Sequence, residues 1–308
     1  MNIVTLTLNP AVDKSAKVDG LLPDNKLICH SIHHQAGGGG INISRVLKRL
    51  NVNSTCIFTS GGDNGKFLNQ ELINSKIKTL PVKIQSWTRE NLSVVDTLTN
   101  LQYRFGMPGS KLTEKEKTII IKTISKQLLV GDMLVISGSL AEDISANFYA
   151  EIIRSLATKK IKIVLDTSGR ALTEALKENV FLIKPNQREL AQLAGKEFLD
   201  SHKQEEFATS LVQAGRVNYV IVSLGSKGAL IVSKEGINYQ TPPSVEVKST
   251  IGAGDSMLAG IIYGLLENES PQNILKWGVA CGTAATMQEG TDLAQLDNIN
   301  AVLKMINK

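Results

Sequence analysis

The sequence predicts an α/β domain: a largely parallel sheet with helices on both faces, carrying a small β flap. Three observations predict it. From Thr113 onward, apolar runs of strand length alternate with helix-length segments, the order that produces a parallel sheet covered on both sides. The strand candidates Met133–Ser137, Ile161–Asp166, Val180–Lys184 and Tyr219–Ser223 are apolar runs that each end on a polar residue. Two glycine-rich stretches, Gly37-Gly38-Gly39-Gly40 and Ser249-Thr250-Ile251-Gly252-Ala253-Gly254-Asp255-Ser256, each lead straight into a helical pattern.

Taken in order, Met1–Leu8 reads as a first strand, and Asn9-Pro10 breaks it. That break places Asp13 just beyond a strand's carboxyl end, where open α/β sheets bind ligands. Short strand-like pieces cover about 14–34. After the four glycines, apolar residues at Ile43, Val46, Leu47 and Leu50 mark a helix, with Asn51 suited to a left-handed C-cap. Ser54–Ser60 reads as a strand and Gly65–Ser75 as a helix. Three strand-like runs lie between Lys78 and Phe105, among them Asn91–Leu98 and Leu101–Phe105, with Asn100 in a hairpin turn. These form the flap, and Arg89 and Arg104 sit near its ends, where guanidinium forks suit phosphate oxygens. Beyond Thr113 come helices over about 113–129 and 145–158, a short helix before Val180, and helices ending at Ala194 and Ala214. Two short strands after Gly228, then helices over 257–266, 271–287 and 297–306, complete the chain.

Composition narrows the function classes. The chain has 308 residues, 42% hydrophobic and 20% charged, as expected of a soluble protein with a sizeable core. No apolar run reaches the roughly 18 residues of a membrane span, and Met1–Leu8 lacks the basic region of a signal peptide, so the expected location is cytoplasmic. Cys29, Cys56 and Cys281 fit neither a disulfide framework nor a zinc pattern. The net charge of +5 is spread over lysines such as Lys115, Lys117, Lys122 and Lys126, not gathered into the stripe that nucleic acid requires.

The stretch from Ser249 carries the chemistry. A glycine turn feeding an apolar helix, Met257–Leu266, points unpaired N–H groups at one spot with the positive end of the helix dipole behind them. This is an anion site, and Asp255 stands within it. There its carboxylate either takes a proton from an attacking hydroxyl or simply favours the helix N-terminus.

Together the two glycine-rich stretches, with Lys184-Pro185-Asn186-Gln187-Arg188-Glu189 and Ser223-Leu224-Gly225, resemble the ribokinase/PfkB family of carbohydrate kinases over essentially the whole chain. The resemblance implies a ribokinase-like three-layer α/β/α sandwich, one kinase domain over 1–308. Its β lid would come from about 12–34 and 82–106 and double as a homodimer interface. It implies phosphoryl transfer from ATP with Mg2+, and a bound K+. Asp255 would be the base, and the N–H groups of Gly252, Ala253 and Gly254 the cradle for the transferring group. Asp13, Gly38, Gly39, Asn42 and Ser139 would bind the sugar, with Arg89, Arg104 and Lys26 on its phosphate. Lys184, Asn186, Ser223, Gly225 and Gly228 would line the nucleotide, with Glu189 organising magnesium through water. Asn186 and Glu189 also read as the capped start of a helix. Ser249, Ile251, Ala285, Gln288 and Gly290 would offer oxygens to potassium.

Trp87–Leu92, Gln102–Gly109 and Ile136–Leu140 resemble family members that phosphorylate fructose 6-phosphate at its 1-hydroxyl. Tagatose 6-phosphate and fructose 1-phosphate are the competing acceptors, and a non-catalytic sugar-phosphate-binding regulator is the reading from another class. Three residues depart from the pattern. Asn51 replaces the usual glycine, Ile28 stands where a basic residue is expected, and Asp292 stands in place of an arginine near the cation loop.

Overall fold

A computed structural model describes residues 1–307. β1 (Ile3–Thr7) leads through Asn9-Pro10 into β2 (Ala11–Val18) and β3 (His30–Gly37). Then come α1 (Gly39–Arg49), β4 (Thr55–Ser60), α2 (Gly62–Asn74) and β5 (Lys78–Lys83). β6 (Arg89–Asp96) and β7 (Gln102–Phe105) precede α3 (Glu114–Gln127), β8 (Met133–Ser137), α4 (Phe148–Ser155) and β9 (Lys162–Asp166). α5 (Gly169–Ala175), β10 (Leu182–Ile183), α6 (Gln187–Leu193), α7 (Ser201–Gln213) and β11 (Tyr219–Ser223) follow. The chain continues through β12 (Ala229–Ser233), β13 (Gly236–Gln240), α8 (Ala253–Leu266), α9 (Pro271–Thr286) and α10 (Leu296–Ile306).

Nine strands form one sheet in the order β13-β12-β11-β10-β9-β8-β1-β4-β5. It is parallel except where β11, β12 and β13 pair antiparallel. Every residue of β8 is buried because both faces are covered. Met133 and Val135 pack with residues of α1, α8, α9 and α10, whereas Leu134 and Ile136 pack with residues of α3 to α7. That alternation is the two-residue period of a strand between two helical layers. Strand order reverses at β1, with β4 and β5 on one side and β8 to β11 on the other. A crevice forms at such a switch point, outside the carboxyl ends of the strands.

Local chemistry fixes the helix ends. Thr113 and Glu116 form a reciprocal capping box at α3, and Ser270 with Pro271 opens α9. Asn51 adopts φ 60° after α1, the left-handed conformation expected of it. Asn100 (φ 57°) turns the β6–β7 hairpin.

A separate four-stranded sheet has the order β3-β2-β6-β7. Its limits differ from the sequence expectation. The run at 78–83 pairs with β4 as an edge of the large sheet, because Val82 and Leu80 pack into the main core. The second half of the small sheet therefore begins at Arg89, not near 82, and its first half extends over 11–37. α2 starts at Gly62 rather than Gly65, and the strand expected over 180–184 contracts to Leu182–Ile183 before Pro185. Among the described residues, no helix is long and apolar enough to cross a membrane.

Candidate active site

Gly252 stands at the N-cap of α8 with a φ of 71°, open to glycine and strained for other residues. The turn leaves the N–H groups of Gly254 and Asp255 without a hydrogen-bond acceptor among the described residues, both in the first helical turn. Asp255 faces a cavity of about 190 Å3 that is also lined by Gly39, Ser137, Asp166, Thr167 and Glu189. These residues come from the N-termini of α1, α6 and α8 and the carboxyl ends of β8 and β9, so the crevice beside β1 is where they meet.

Burial is the main reason that the Asp255 carboxyl is pushed up to about 7, with the nearby charge of Asp166 adding to it. Asn42, from the first turn of α1, donates Nδ2–H to Asp255 Oδ2 at 2.8 Å and works in the opposite direction, as does Lys184. Lys184 is buried and pairs with Asp166 at 3.2 Å. Burial opposes its charge, but Asp166 and Asp255 overcome this and hold the ammonium above its ordinary range. Its Nζ lies 3.6 Å from where a Cβ on Gly254 would stand, so the ammonium closes one side of the unpaired N–H groups. The local arrangement is a carboxylate able to accept a proton beside donors able to hold an anion.

Asp13 lies on β2 of the small sheet rather than in a turn. It accepts Nδ2–H of Asn91 at 2.8 Å, across the parallel β2–β6 register. Burial raises its carboxyl, and Asn91, Arg89 and Arg45 restrain that rise. Gly38, with φ 127°, lets the chain turn from β3 into α1 beside Thr7 and Pro10. Asn9 donates to Ser139 at 3.3 Å. Arg89 donates to the carbonyls of Met107 and Asn9 at 3.1 and 3.3 Å. Among the described residues, three buried side-chain atoms have no hydrogen-bond partner: Asn9 Oδ1, Arg89 Nε and Thr167 Oγ1. All three belong to this edge of the molecule, where a polar ligand would satisfy them.

Other expected residues are more dispersed. Arg104 is exposed on the edge strand β7 and bonds only to Gln102; Lys26 is exposed in the loop between β2 and β3. The structure does not bring either into the cavity. Asn186 and Glu189 form a reciprocal capping box on α6, both bonds 2.8 Å, while Glu189 also lines the cavity. Ser223 bridges to Asn186, and Gly225 and Gly228 follow it at positive φ along the same sheet edge. Ser249 donates Oγ–H to the Gly290 carbonyl at 2.6 Å, and Gln288 N–H bonds the Ala285 carbonyl at 3.1 Å. Ile251 N–H bonds Ser249 Oγ at 3.2 Å, so the five residues expected around a cation gather on the turn before α8, the last turn of α9 (Ala285) and the loop that follows it.

The sequence alone assigns no site role to Asn9, Asn91, Asp166 or Thr167. Asp166 and Asn9 carried a signal, each following an apolar strand. The role of Asn91 depends on a strand pairing that no local pattern reveals.

The pattern of the family described as "pfkB family carbohydrate kinase" matches residues 4–298. The chain is 36% identical to ATP-dependent 6-phosphofructokinase isozyme 2 of Escherichia coli, over 100% of both chains. It is 32% identical to the 1-phosphofructokinase of Borreliella burgdorferi, covering 99% of this chain and 97% of that one. The crystal structure of Escherichia coli phosphofructokinase-2 in complex with fructose-6-phosphate superposes with a TM-score of 0.94 at 35% identity. That match covers 100% of this chain and 99% of the other.

Proposed function

The chain belongs to the pfkB family of carbohydrate kinases and is an ATP-dependent sugar kinase, and we propose that its acceptor is fructose 6-phosphate. The product is then fructose 1,6-bisphosphate. Asp255 at the mouth of α8, held by Asn42 and flanked by the unpaired N–H groups and Lys184, carries the phosphoryl-transfer chemistry. The choice of acceptor is supported by the small-sheet stretches Trp87–Leu92 and Gln102–Gly109 and by the 36% identity to 6-phosphofructokinase isozyme 2 of Escherichia coli. In the reaction, Asp255 takes the proton of the 1-hydroxyl as that oxygen bonds to the γ-phosphorus of ATP. The bond from that phosphorus to the bridging oxygen breaks, and ADP leaves. The N–H groups of Gly252, Gly254 and Asp255 and the Lys184 ammonium hold the charge of the transferring group, which is most of the work in phosphoryl transfer, whereas the Ala253 N–H expected among them bonds the Thr250 carbonyl at 3.4 Å.

Asp13, Gly38, Gly39, Asn42 and Ser139 position the sugar, and Arg89 grips its phosphate, its orphaned Nε offering a donor. Arg104 and Lys26 complete that grip when the small sheet acts as a lid against a partner subunit. The exposed apolar side chains Ile28, Ile32, Leu101 and Phe105 support a homodimer formed through this sheet. Lys184, Asn186, Ser223, Gly225 and Gly228 line the nucleotide, and the orphaned Thr167 Oγ1 is one fitting contact for its phosphates. The carboxylates of Glu189 and Asp166 on the cavity wall suit a hydrated magnesium ion, which when bound neutralises phosphate charge. Ser249 and Ile251 before α8, Ala285 at the end of α9, and Gln288 and Gly290 after it bring together oxygens that suit potassium. A cytoplasmic location accords with such a substrate.

The test is an ADP-release assay over a panel of sugar phosphates. We expect kcat/KM to rank fructose 6-phosphate first, tagatose 6-phosphate second and fructose 1-phosphate far behind. Tagatose 6-phosphate differs at one hydroxyl, and a site that hydrogen-bonds that hydroxyl leaves polar groups unpaired with the wrong epimer. Either competitor in first place overturns the acceptor and leaves the kinase assignment standing.

A further inference from the structure

A second cavity, about 350 Å3, opens at the opposite edge of the large sheet. It lies at the amino ends of β1, β4 and β5, and its walls include Ser44, Lys48, Asn53, Ser54, Lys76 and Lys78. Helix α1 joins the two sites. Its first residue, Gly39, lines the catalytic cavity, and Lys48, about 14 Å further along the axis, lines this one.

The walls hold three ammonium groups and no carboxylate. Among the described residues none of the three lysines makes an ion pair; Lys48 donates only to Asn53 Oδ1, at 3.1 Å. Lysines at helix C-termini commonly serve as caps, but here the capping is done by backbone. The Val46 and Leu47 carbonyls of α1 accept N–H from Leu50 and Val52, and the Leu72 and Ile73 carbonyls of α2 accept N–H from Ile77 and Lys76. The two helix dipoles together amount to about one negative charge. Three full positive charges exceed that.

The floor of the cavity carries hydroxyls. Thr5 Oγ1, Ser44 Oγ and Ser54 Oγ form a buried chain with both links at 2.8 Å. Ser54 Oγ ends this chain at the cavity, where its hydroxyl can donate to or accept from a bound group. Ammonium groups over a hydroxyl floor match the oxygens of a phosphate more closely than a planar carboxylate.

We propose that this cavity binds a compact phosphate-bearing anion at a site separate from the catalytic one. The test uses full-length protein saturated with fructose 6-phosphate and a non-hydrolysable ATP analogue, so that the catalytic site is filled. Inorganic pyrophosphate is then titrated calorimetrically at low ionic strength, where such charge contacts are least screened. The expected result is one site per chain, weakened at least tenfold in K48Q/K76Q/K78Q, while kcat/KM without pyrophosphate stays at the wild-type value. The control K115Q/K122Q/K126Q removes the same charge elsewhere and is expected to bind as wild type. No binding heat, undiminished binding in the first variant, or an equal loss in the control overturns the proposal.

Discussion

Asn42 Nδ2 stands 2.8 Å from Asp255 Oδ2, a bond between side chains 213 residues apart that ties the first glycine-rich helix entrance to the second. Each helix brings its N-terminus to the crevice beside β1, and the bond fixes one carboxylate oxygen. The other is left to face the cavity. The predictions below follow from this placement.

Activity should rise with pH through about 7, where Asp255 ionises, because only the carboxylate accepts a proton. Stability should move the other way. With its folded value raised from 3.8 to about 7, the native state holds a proton that the unfolded state has released, so stability is lost as pH climbs through this window. Asp255→Asn should therefore raise the melting temperature at pH 8, by a free energy on the order of 1–4 kcal/mol. A kcat/KM profile flat from pH 5.5 to 8 contradicts the assignment.

Lys184→Met should cost about 3 kcal/mol, because it leaves Asp166 without its buried partner. It should also move the acidic limb of the pH–rate profile upward, since Lys184 works to lower the Asp255 value. Denaturant unfolding and the profile together check this; an unshifted limb separates Lys184 from Asp255.

Arg89→Ala and Arg104→Ala should each raise KM for the sugar phosphate about 10- to 100-fold, the effect of losing a charge-assisted bond worth roughly 1.5–3 kcal/mol. KM for ATP should change less than about twofold. Steady-state kinetics in both substrates decide it. Loss of ATP affinity with intact sugar affinity places the small sheet on the wrong ligand.

Much of this was legible from sequence because the signals were local. Apolar runs such as Met133–Ser137 marked strands buried on both faces, and both glycine stretches do open helices at the site. Asn51 and Asn100 took the left-handed turns their chemistry favours. What sequence did not convey was pairing. The run at 78–83 looked like its flap neighbours, and only its packing through Val82 assigns it to the large sheet. Asn91 reaches Asp13 through a parallel register set by the whole small sheet. Arg104 and Arg89 looked equivalent, yet an edge strand leaves one in solvent while the other is drawn between Asn9 and Met107.

The most direct measurement is the turnover of purified Asp255→Asn at pH 8, with ATP binding measured on the same sample. The account predicts that kcat falls on the order of 10²-fold or more, as for a lost general base, while ATP still binds. Near-normal turnover would reduce Asp255 to an acid that favours a helix N-terminus and would contradict the account at its centre.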